Sequence, residues 1–283
     1  MNKYLHPLNS NILLNIRKDQ GWLDIKIDNN QYFYKKKLFI NIVFGNFING
    51  DEKKLLKEFD IIKSKLGFCI FIFNPYTLEE FEYNSFLKIN KVLNYKETFI
   101  NELIDAISIK KKLSKNYKNE INKCNKETSV VVDNKYLNEF YSLYSTEMIK
   151  EGGALYSKKY IENIINNENV IFVSLFSKEK YLGSVIFAYN NNISYYFLGA
   201  YTKDILPCVA KYLLFNAMLL SQEKGCTIFD FGGVSQADQK LSNLFTFKKR
   251  FGGEHKTVGT SYLYTSSVII QFILKILQKI IKF

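Results

Sequence analysis

The sequence predicts an α+β fold, a mixed α/β layering, and three observations carry that reading. Two apolar runs, Leu38 to Phe44 and Phe68 to Phe73, flank a stretch with helical periodicity, which reads as β-α-β. Between residues 170 and 200, three further apolar runs are separated only by short polar turns, the pattern of a strand meander. A long apolar helix pattern and one more strand follow, and such a succession buries its apolar faces by packing helices onto a sheet.

Each element has its own local cause. From Asp51 to Leu66, the residues Leu55, Leu56, Phe59, Ile62 and Leu66 recur at helical spacing, with Lys and Glu on the other face. Asn74-Pro75 then ends the second strand in a turn. From Phe99 to Lys126 the pattern predicts a charge-laced helical segment, with Ile100, Leu103, Ile104 and Ile107 on one apolar stripe. Lys110, Lys111, Lys112, Lys115, Lys118, Lys123 and Lys126 gather positive charge downstream of that stripe. Ser129 to Val132 reads as a short strand, and Tyr136 to Met148 as a helix with Leu137, Phe140, Tyr141 and Tyr144 on one side. The meander strands are Val170 to Phe176, Tyr181 to Tyr189 and Ile193 to Ala200, joined by turns at Ser177 to Lys180 and Asn190 to Asn192. Pro207 opens a helix running to about Lys224, Gly225 caps it, and Cys226 to Phe231 is the next strand. The order is β-α-(α)-β-β-β-α-β.

Composition narrows the class of partner. With 283 residues, 47% of them hydrophobic, the chain can bury a core and is not a disordered segment. Its 39 basic against 27 acidic residues leave a net charge of +12, which attracts nucleic acid, phosphorylated cofactors or an anionic membrane. A merely solvated basic surface is the plain alternative. Cys69, Cys124, Cys208 and Cys226 are scattered and have no histidine near them in sequence, so neither a zinc site nor a Cys–His nucleophile is indicated. The opening MNKYLHPLNSNILL lacks a signal-peptide core and no uncharged run spans a bilayer, so a cytoplasmic protein that can touch the inner face of the membrane is expected.

One constellation carries chemistry. The strand ending at Phe231 runs into Gly232-Gly233-Val234-Ser235, and beyond a polar loop comes Leu244-Phe245-Thr246-Phe247-Lys248-Lys249-Arg250-Phe251-Gly252-Gly253-Glu254. Paired glycines after a strand allow backbone conformations or close ligand approaches that other residues forbid. Asp230 lies between two apolar strand residues and points to the opposite face from Phe229 and Phe231, where a carboxylate can orient an amine or accept a proton. Lys248, Lys249 and Arg250 can offset phosphate or carboxylate charge. Each piece also has a plain reading: Asp230 as a turn cap, the three phenylalanines as core, the basic trio as a solvated loop.

Together, "FDFGGV…LFTFKKRFGGE" resembles the signature near the C-terminus of the FemABX family of peptidoglycan-bridge aminoacyl transferases and of the related BioF2-like acyltransferases. These are built from GNAT-type acyltransferase domains, often two in tandem. The resemblance extends to the basic helix Leu113 to Cys124, to Phe197 to Tyr201 with the Pro207 helix, and loosely to Phe71 to Pro75, covering about residues 35–260. It implies a shortened N-terminal GNAT-like half (1–112), a basic connecting helix (113–127), a complete C-terminal GNAT-like catalytic domain (128–265) and a basic amphipathic helix (266–283). The helical arm of some family members has no counterpart here, and Lys118 stands where an arginine is common.

The resemblance implies transfer of an acyl or aminoacyl group to an amine of a cell-wall or surface-glycan precursor, lipid-linked or free. The co-substrate is aminoacyl-tRNA or acyl-CoA, with no tightly bound cofactor and no metal. The junction Gly199 to Cys208 lacks the Gly-rich phosphate turn of CoA-dependent GNAT enzymes, as in the FemABX family. Lys248 takes a phosphate or oxyanion role and Asp230 an orienting or base role. Gly232, Gly233, Phe247, Lys249, Arg250, Lys115, Lys118 and Tyr196 are expected to bind substrate. The terminal VIIQFILKILQKIIKF places Ile269, Phe272, Ile273, Ile276, Ile280 and Phe283 opposite Lys275, Lys279 and Lys282, which suits a membrane interface or docking on the protein. The competing class is a non-catalytic GNAT-fold protein that binds RNA or an anionic membrane through its basic helices.

Overall fold

The computed structural model describes residues 7, 16–19, 21–28, 30–45, 51–73, 84–89, 97–153, 155–190, 192–202, 206–234, 242–258 and 261–272. The strands, in chain order, are β1 (Leu23–Ile27), β2 (Asn30–Lys37), β3 (Ile40–Gly45), β4 (Cys69–Phe73), β5 (Leu87–Ile89), β6 (Glu97–Glu102) and β7 (Ser129–Val132). They continue as β8 (Val170–Ser177), β9 (Lys180–Asn190), β10 (Ile193–Tyr201), β11 (Ile228–Val234), β12 (Glu254–Thr257) and β13 (Ser261–Tyr264). The helices are α1 (Ile16–Asp19), α2 (Glu52–Leu66), α3 (Ala106–Lys112), α4 (Lys115–Glu127), α5 (Leu137–Glu151), α6 (Lys158–Ile165), α7 (Val209–Glu223) and α8 (Ser242–Lys249). The fold is mixed α/β and forms two compact units: Thr98–Lys256 with Met1–Ile12, and Leu13–Glu97 with Thr257–Phe283.

The Leu13–Glu97 unit is a six-stranded sheet in the order β1-β2-β3-β4-β13-β5. Helix α2 starts because the Asp51 side chain accepts from the Lys54 amide at 3.1 Å, and it stops at Gly67. Its buried face (Leu55, Phe59, Ile62) lies on the sheet, where Phe59 stacks on Phe71 with ring centroids 4.0 Å apart. Glu58 is also buried, and Tyr32 and Asn30 donate hydrogen bonds to its carboxylate. The hairpin β1–β2 is absent from the sequence reading because β1 alternates over only five residues, Leu23 to Ile27, and β2, Asn30 to Lys37, does not alternate.

The Thr98–Lys256 unit is a seven-stranded sheet in the order β12-β6-β11-β10-β9-β8-β7. The antiparallel meander β8–β9–β10 stands as expected, with α5 and α6 before it, α7 after it, and β11 returning parallel to β10. Pro207 sits in the turn just before α7, whose core face includes Leu213, Ala217 and Met218. Gly225, at φ 84°, follows the end of that helix.

The helical reading of Phe99 to Lys126 is corrected in part. Thr98 to Glu102 belongs to β6, and helix resumes as α3 and then α4 with a break at Leu113-Ser114. Thr98, Phe99 and Ile100 are β-branched or aromatic and nearly fully buried in the sheet, so packing overrides the helical stripe. The sheets also divide the chain differently from the segments 1–112 and 128–265: β6 joins the seven-stranded sheet, and β13 joins the six-stranded one. Tyr262 and Tyr264 of β13 complete the aromatic core around Phe59 and Phe86. Asn74-Pro75, Asn191, the loop 235–241 and residues 273–283 of the amphipathic C-terminal segment lie outside the described residues. Among the described residues, no helix is long and apolar enough to cross a membrane.

Candidate active site

Strands β10 and β11 ladder in parallel from Ile193↔Ile228 to Tyr195↔Asp230, and their register goes no further, although both strands continue. On its other edge β10 stays paired with β9 as far as Tyr201↔Gly183, with a register shift between Tyr196 and Leu198. The sheet therefore splits just beyond Asp230. Facing edges released from each other in this way offer backbone groups to an extended ligand.

The Gly-Gly turn sits at the split. Gly232 has φ 73°, a left-handed conformation that disfavours side chains, and a Cβ there would lie 3.0 Å from the Tyr196 carbonyl oxygen. Asp230 is fully buried. Its Oδ1 accepts from the Gly232 amide at 2.7 Å and from Thr98 Oγ1 at 2.5 Å. The carboxylate thereby bends the chain into the turn and ties it to β6.

Lys248 approaches the turn from α8. Its side chain is buried, 3% exposed, and Nζ donates to the carbonyl oxygens of Gly232 and Gly233, each at 3.1 Å. Nζ also lies 5.6 Å from the centre of the Tyr196 ring, within cation–π range. Burial penalises the ammonium and pulls it from the ordinary 10.5 down to about 7, with the Asp230 charge opposing the fall. An ammonium has three donors, and two are committed to the turn. Burial likewise raises the Tyr196 hydroxyl, so that phenol is neutral.

Asp230, Gly232, Gly233, Lys248 and Tyr196 are therefore brought together. Phe247 belongs to a neighbouring aromatic group, 6.0 Å from Tyr117 and 5.5 Å from Phe251 between ring centres. The Tyr117 hydroxyl donates to the Phe247 carbonyl at 3.1 Å, and burial raises it to about 12 against the opposing pull of the Arg250 charge. Lys249 and Lys115 are exposed and Lys118 is half-buried. Among the described residues, no hydrogen bond or ion pair ties these three to the Lys248 cluster.

Sequence reasoning missed Thr98 and Asn101. Thr98 Oγ1 reaches both Asp230 and, at 3.0 Å, the Gly232 carbonyl, across 132 residues of chain to the first. Asn101 Nδ2 donates to the Phe251 carbonyl at 3.1 Å and so holds the end of the signature. Gly252, at φ 78°, closes the packing: a Cβ there would lie 2.0 Å from the Lys112 carbonyl oxygen. A lone threonine or asparagine in an apolar strand carries no local signal of such a partner.

No family model matches the chain, and no curated protein matches it in sequence. Solved structures do share its fold. FemX aligns with a TM-score of 0.76 at 14% identity over 94% of each chain. The C-terminal domain of a putative lysylphosphatidylglycerol synthetase from Agrobacterium fabrum aligns at 0.61 and 13% identity, covering 94% of this chain and 92% of that one. L-PGS from Bacillus licheniformis aligns at 0.57 and 14% identity, covering 89% and 87%. The expectation raised by the Phe229 to Glu254 signature holds at the level of the fold: this chain shares the fold of FemX.

Proposed function

We propose that this chain transfers an acyl or aminoacyl group to an amine, and that the Thr98–Lys256 unit carries the catalysis. The observation that supports this most is the split between β10 and β11 with a buried ammonium closing the turn at its mouth. An activated acyl group laid along the split would present its carbonyl near that turn. The acceptor amine attacks the carbonyl carbon, a C–N bond forms, and the C–O bond of an ester or the C–S bond of a thioester breaks. The amine proton leaves with the departing oxygen or sulfur. Lys248 is assigned to the developing oxyanion, through the N–H that the turn does not use, because preorganised donors in a water-poor site stabilise such charge most. Asp230 takes the orienting role rather than the base role, since its Oδ1 is already engaged by Thr98 and Gly232. Tyr196 confines the ammonium, and Gly232-Gly233 supplies the close backbone approach. Phe247, Lys249, Arg250, Lys115 and Lys118 are proposed to border the donor, the lysines as point charges for phosphate.

The donor is an aminoacyl-tRNA or an acyl-CoA, and the acceptor is a cell-wall or surface-glycan precursor. One structural relative is named as a putative lysylphosphatidylglycerol synthetase, for an aminoacylated lipid, which suits a lipid-linked acceptor and peripheral membrane contact through 266–283. Charged tRNAs and acyl-CoAs should be screened against a lipid-linked amino-sugar acceptor, reading its mass change. Transfer with one donor class is expected, and Lys248→Met should lower it by about a hundredfold, the scale of a lost oxyanion donor. A Lys248→Met protein that keeps most of its transfer rate returns Lys248 to a structural role in the turn.

A further inference from the structure

One end of the six-stranded sheet gathers exposed apolar side chains that the transfer chemistry does not use. The β2–β3 hairpin turns there through Leu38 and Phe39, between the pair Lys37↔Ile40, and these two side chains are 89% and 69% exposed. Leu38 has φ 56°, a left-handed conformation in which a leucine is costly and a glycine is not. A solvated turn has no use for such a residue at such a position, so strain and exposure coincide on a side chain suited to contact.

The register puts two more apolar elements at the same end. Strand β3 runs parallel to β4 with Asn41 opposite Cys69, so Phe68, 62% exposed, lies beside the hairpin. The Asn41 amide donates to the Phe68 carbonyl at 2.8 Å and Asn41 Nδ2 to the Leu66 carbonyl at 2.7 Å, which holds that turn in place. Strand β13 is antiparallel to β4, with Tyr262 opposite Phe73 and Tyr264 opposite Phe71, so the chain leaves β13 toward the Phe68 end. A helical turn begins there with Val268 and Ile269, 77% and 73% exposed, held by the Gln271 side-chain amide donating to the Thr265 carbonyl at 2.5 Å. From β2 across β3 and β4 to β13 is three strand spacings of about 4.8 Å, so the cluster spans roughly 15 Å.

Cations surround it. Lys35, Lys36 and Lys37 lead into the hairpin, and Lys63 and Lys65 stand on the last turn of α2, all five exposed. Lys63 is near enough to Cys69, the neighbour of Phe68 in the chain, for its charge to act on that thiol, while Asp60, a turn earlier on α2, acts on the Tyr264 hydroxyl.

We infer that this end of the sheet docks on an anionic phospholipid bilayer, with Leu38, Phe39, Phe68, Val268 and Ile269 entering the headgroup boundary and the lysines meeting lipid phosphates. The inference extends the membrane contact proposed for 266–283 to a preformed surface and is independent of the transfer step. Apolar tips ringed by lysine match the two attractions such a surface offers, burial and negative potential. A second copy of the chain fits poorly, because a two-fold contact would set these lysines against themselves.

The test is sedimentation of the full chain with vesicles of phosphatidylcholine alone, or of phosphatidylcholine with about three parts in ten phosphatidylglycerol. The variant is Leu38→Gly with Phe39→Ser, which keeps the turn because glycine accepts the left-handed conformation. Wild-type protein is expected to bind the anionic vesicles and not the neutral ones, and the variant to bind at least about tenfold more weakly. Transfer to a water-soluble amine acceptor should be unchanged in the variant, so loss of docking and loss of catalysis are read separately. Unchanged binding of the variant to anionic vesicles overturns the inference. So does a wild-type dimer in light scattering that the variant abolishes, which would give the surface to a second copy.

Discussion

Replacing Lys248 with methionine removes a buried charge and keeps most of the side-chain volume. The native ammonium titrates at about 7, against 10.5 for an ordinary lysine, because α8 carries it out of water onto two backbone carbonyls. In the unfolded chain the amine keeps its proton up to about pH 10. Between pH 7 and that value the unfolded state therefore binds more protons than the folded one, and stability rises with pH. Below pH 7 the amine is protonated in both states, and the full cost of burying the charge is present. Integrating between pH 7 and pH 9 gives a gain of about 2 kcal/mol for wild type that the methionine variant lacks. Urea unfolding followed by far-UV circular dichroism, on both proteins at pH 6, 7, 8 and 9, measures it. The single tryptophan, Trp22, lies in the six-stranded unit, so its fluorescence transition marks that unit and should be the same in both proteins. The difference in stability should be flat from pH 6 to about 7 and then grow in favour of wild type. A difference that stays constant to within about 0.5 kcal/mol up to pH 9 would refute the buried, weakened ammonium.

Thr98→Val should cost about 1–3 kcal/mol of stability, because it leaves a fully buried Asp230 carboxylate short of a donor, and should depress transfer along with it. Chemical denaturation and the transfer assay check both. Gly252→Ala should destabilise the seven-stranded unit by about 2 kcal/mol or more, from positive φ and from the clash with the Lys112 carbonyl, as read by its circular dichroism midpoint. Tyr32→Phe should cost the six-stranded unit about 1–3 kcal/mol by removing a donor from the buried Glu58, visible in the Trp22 fluorescence transition. Leu38→Gly alone should leave that transition within about 1 kcal/mol of wild type, since relief of left-handed strain offsets the added freedom of the unfolded chain.

Elements whose pattern is local are legible in the amino-acid sequence alone. The meander strands alternate or run apolar between turn residues. The Asp51 to Leu66 helix shows its apolar residues at helical spacing, and the Asp-Phe-Gly-Gly and Phe-Lys-Lys-Arg-Phe-Gly-Gly segments lie close enough in sequence to be read as one signature. Asp230, Gly232, Gly233 and Lys248 stand out on that basis, and they do meet, around one peptide unit and its neighbour. Hidden from the sequence is everything decided by which strand lies beside which. Thr98 to Glu102 borders a helical stripe in sequence and is a strand against β11 in space, because a stripe of Ile and Leu satisfies helix and buried strand alike. The same holds for Ser261–Tyr264, whose tyrosines belong to a sheet begun more than two hundred residues earlier. The split between β10 and β11, the burial that weakens Lys248 and the convergence of Leu38, Phe68 and Val268 at one sheet end also depend on register, which long-range packing sets. The sequence by itself determined the α+β class and the chemical groups of the site; tertiary structure decided which of those groups are buried, hydrogen-bonded or exposed together, since burial and partnership are properties of neighbours in space.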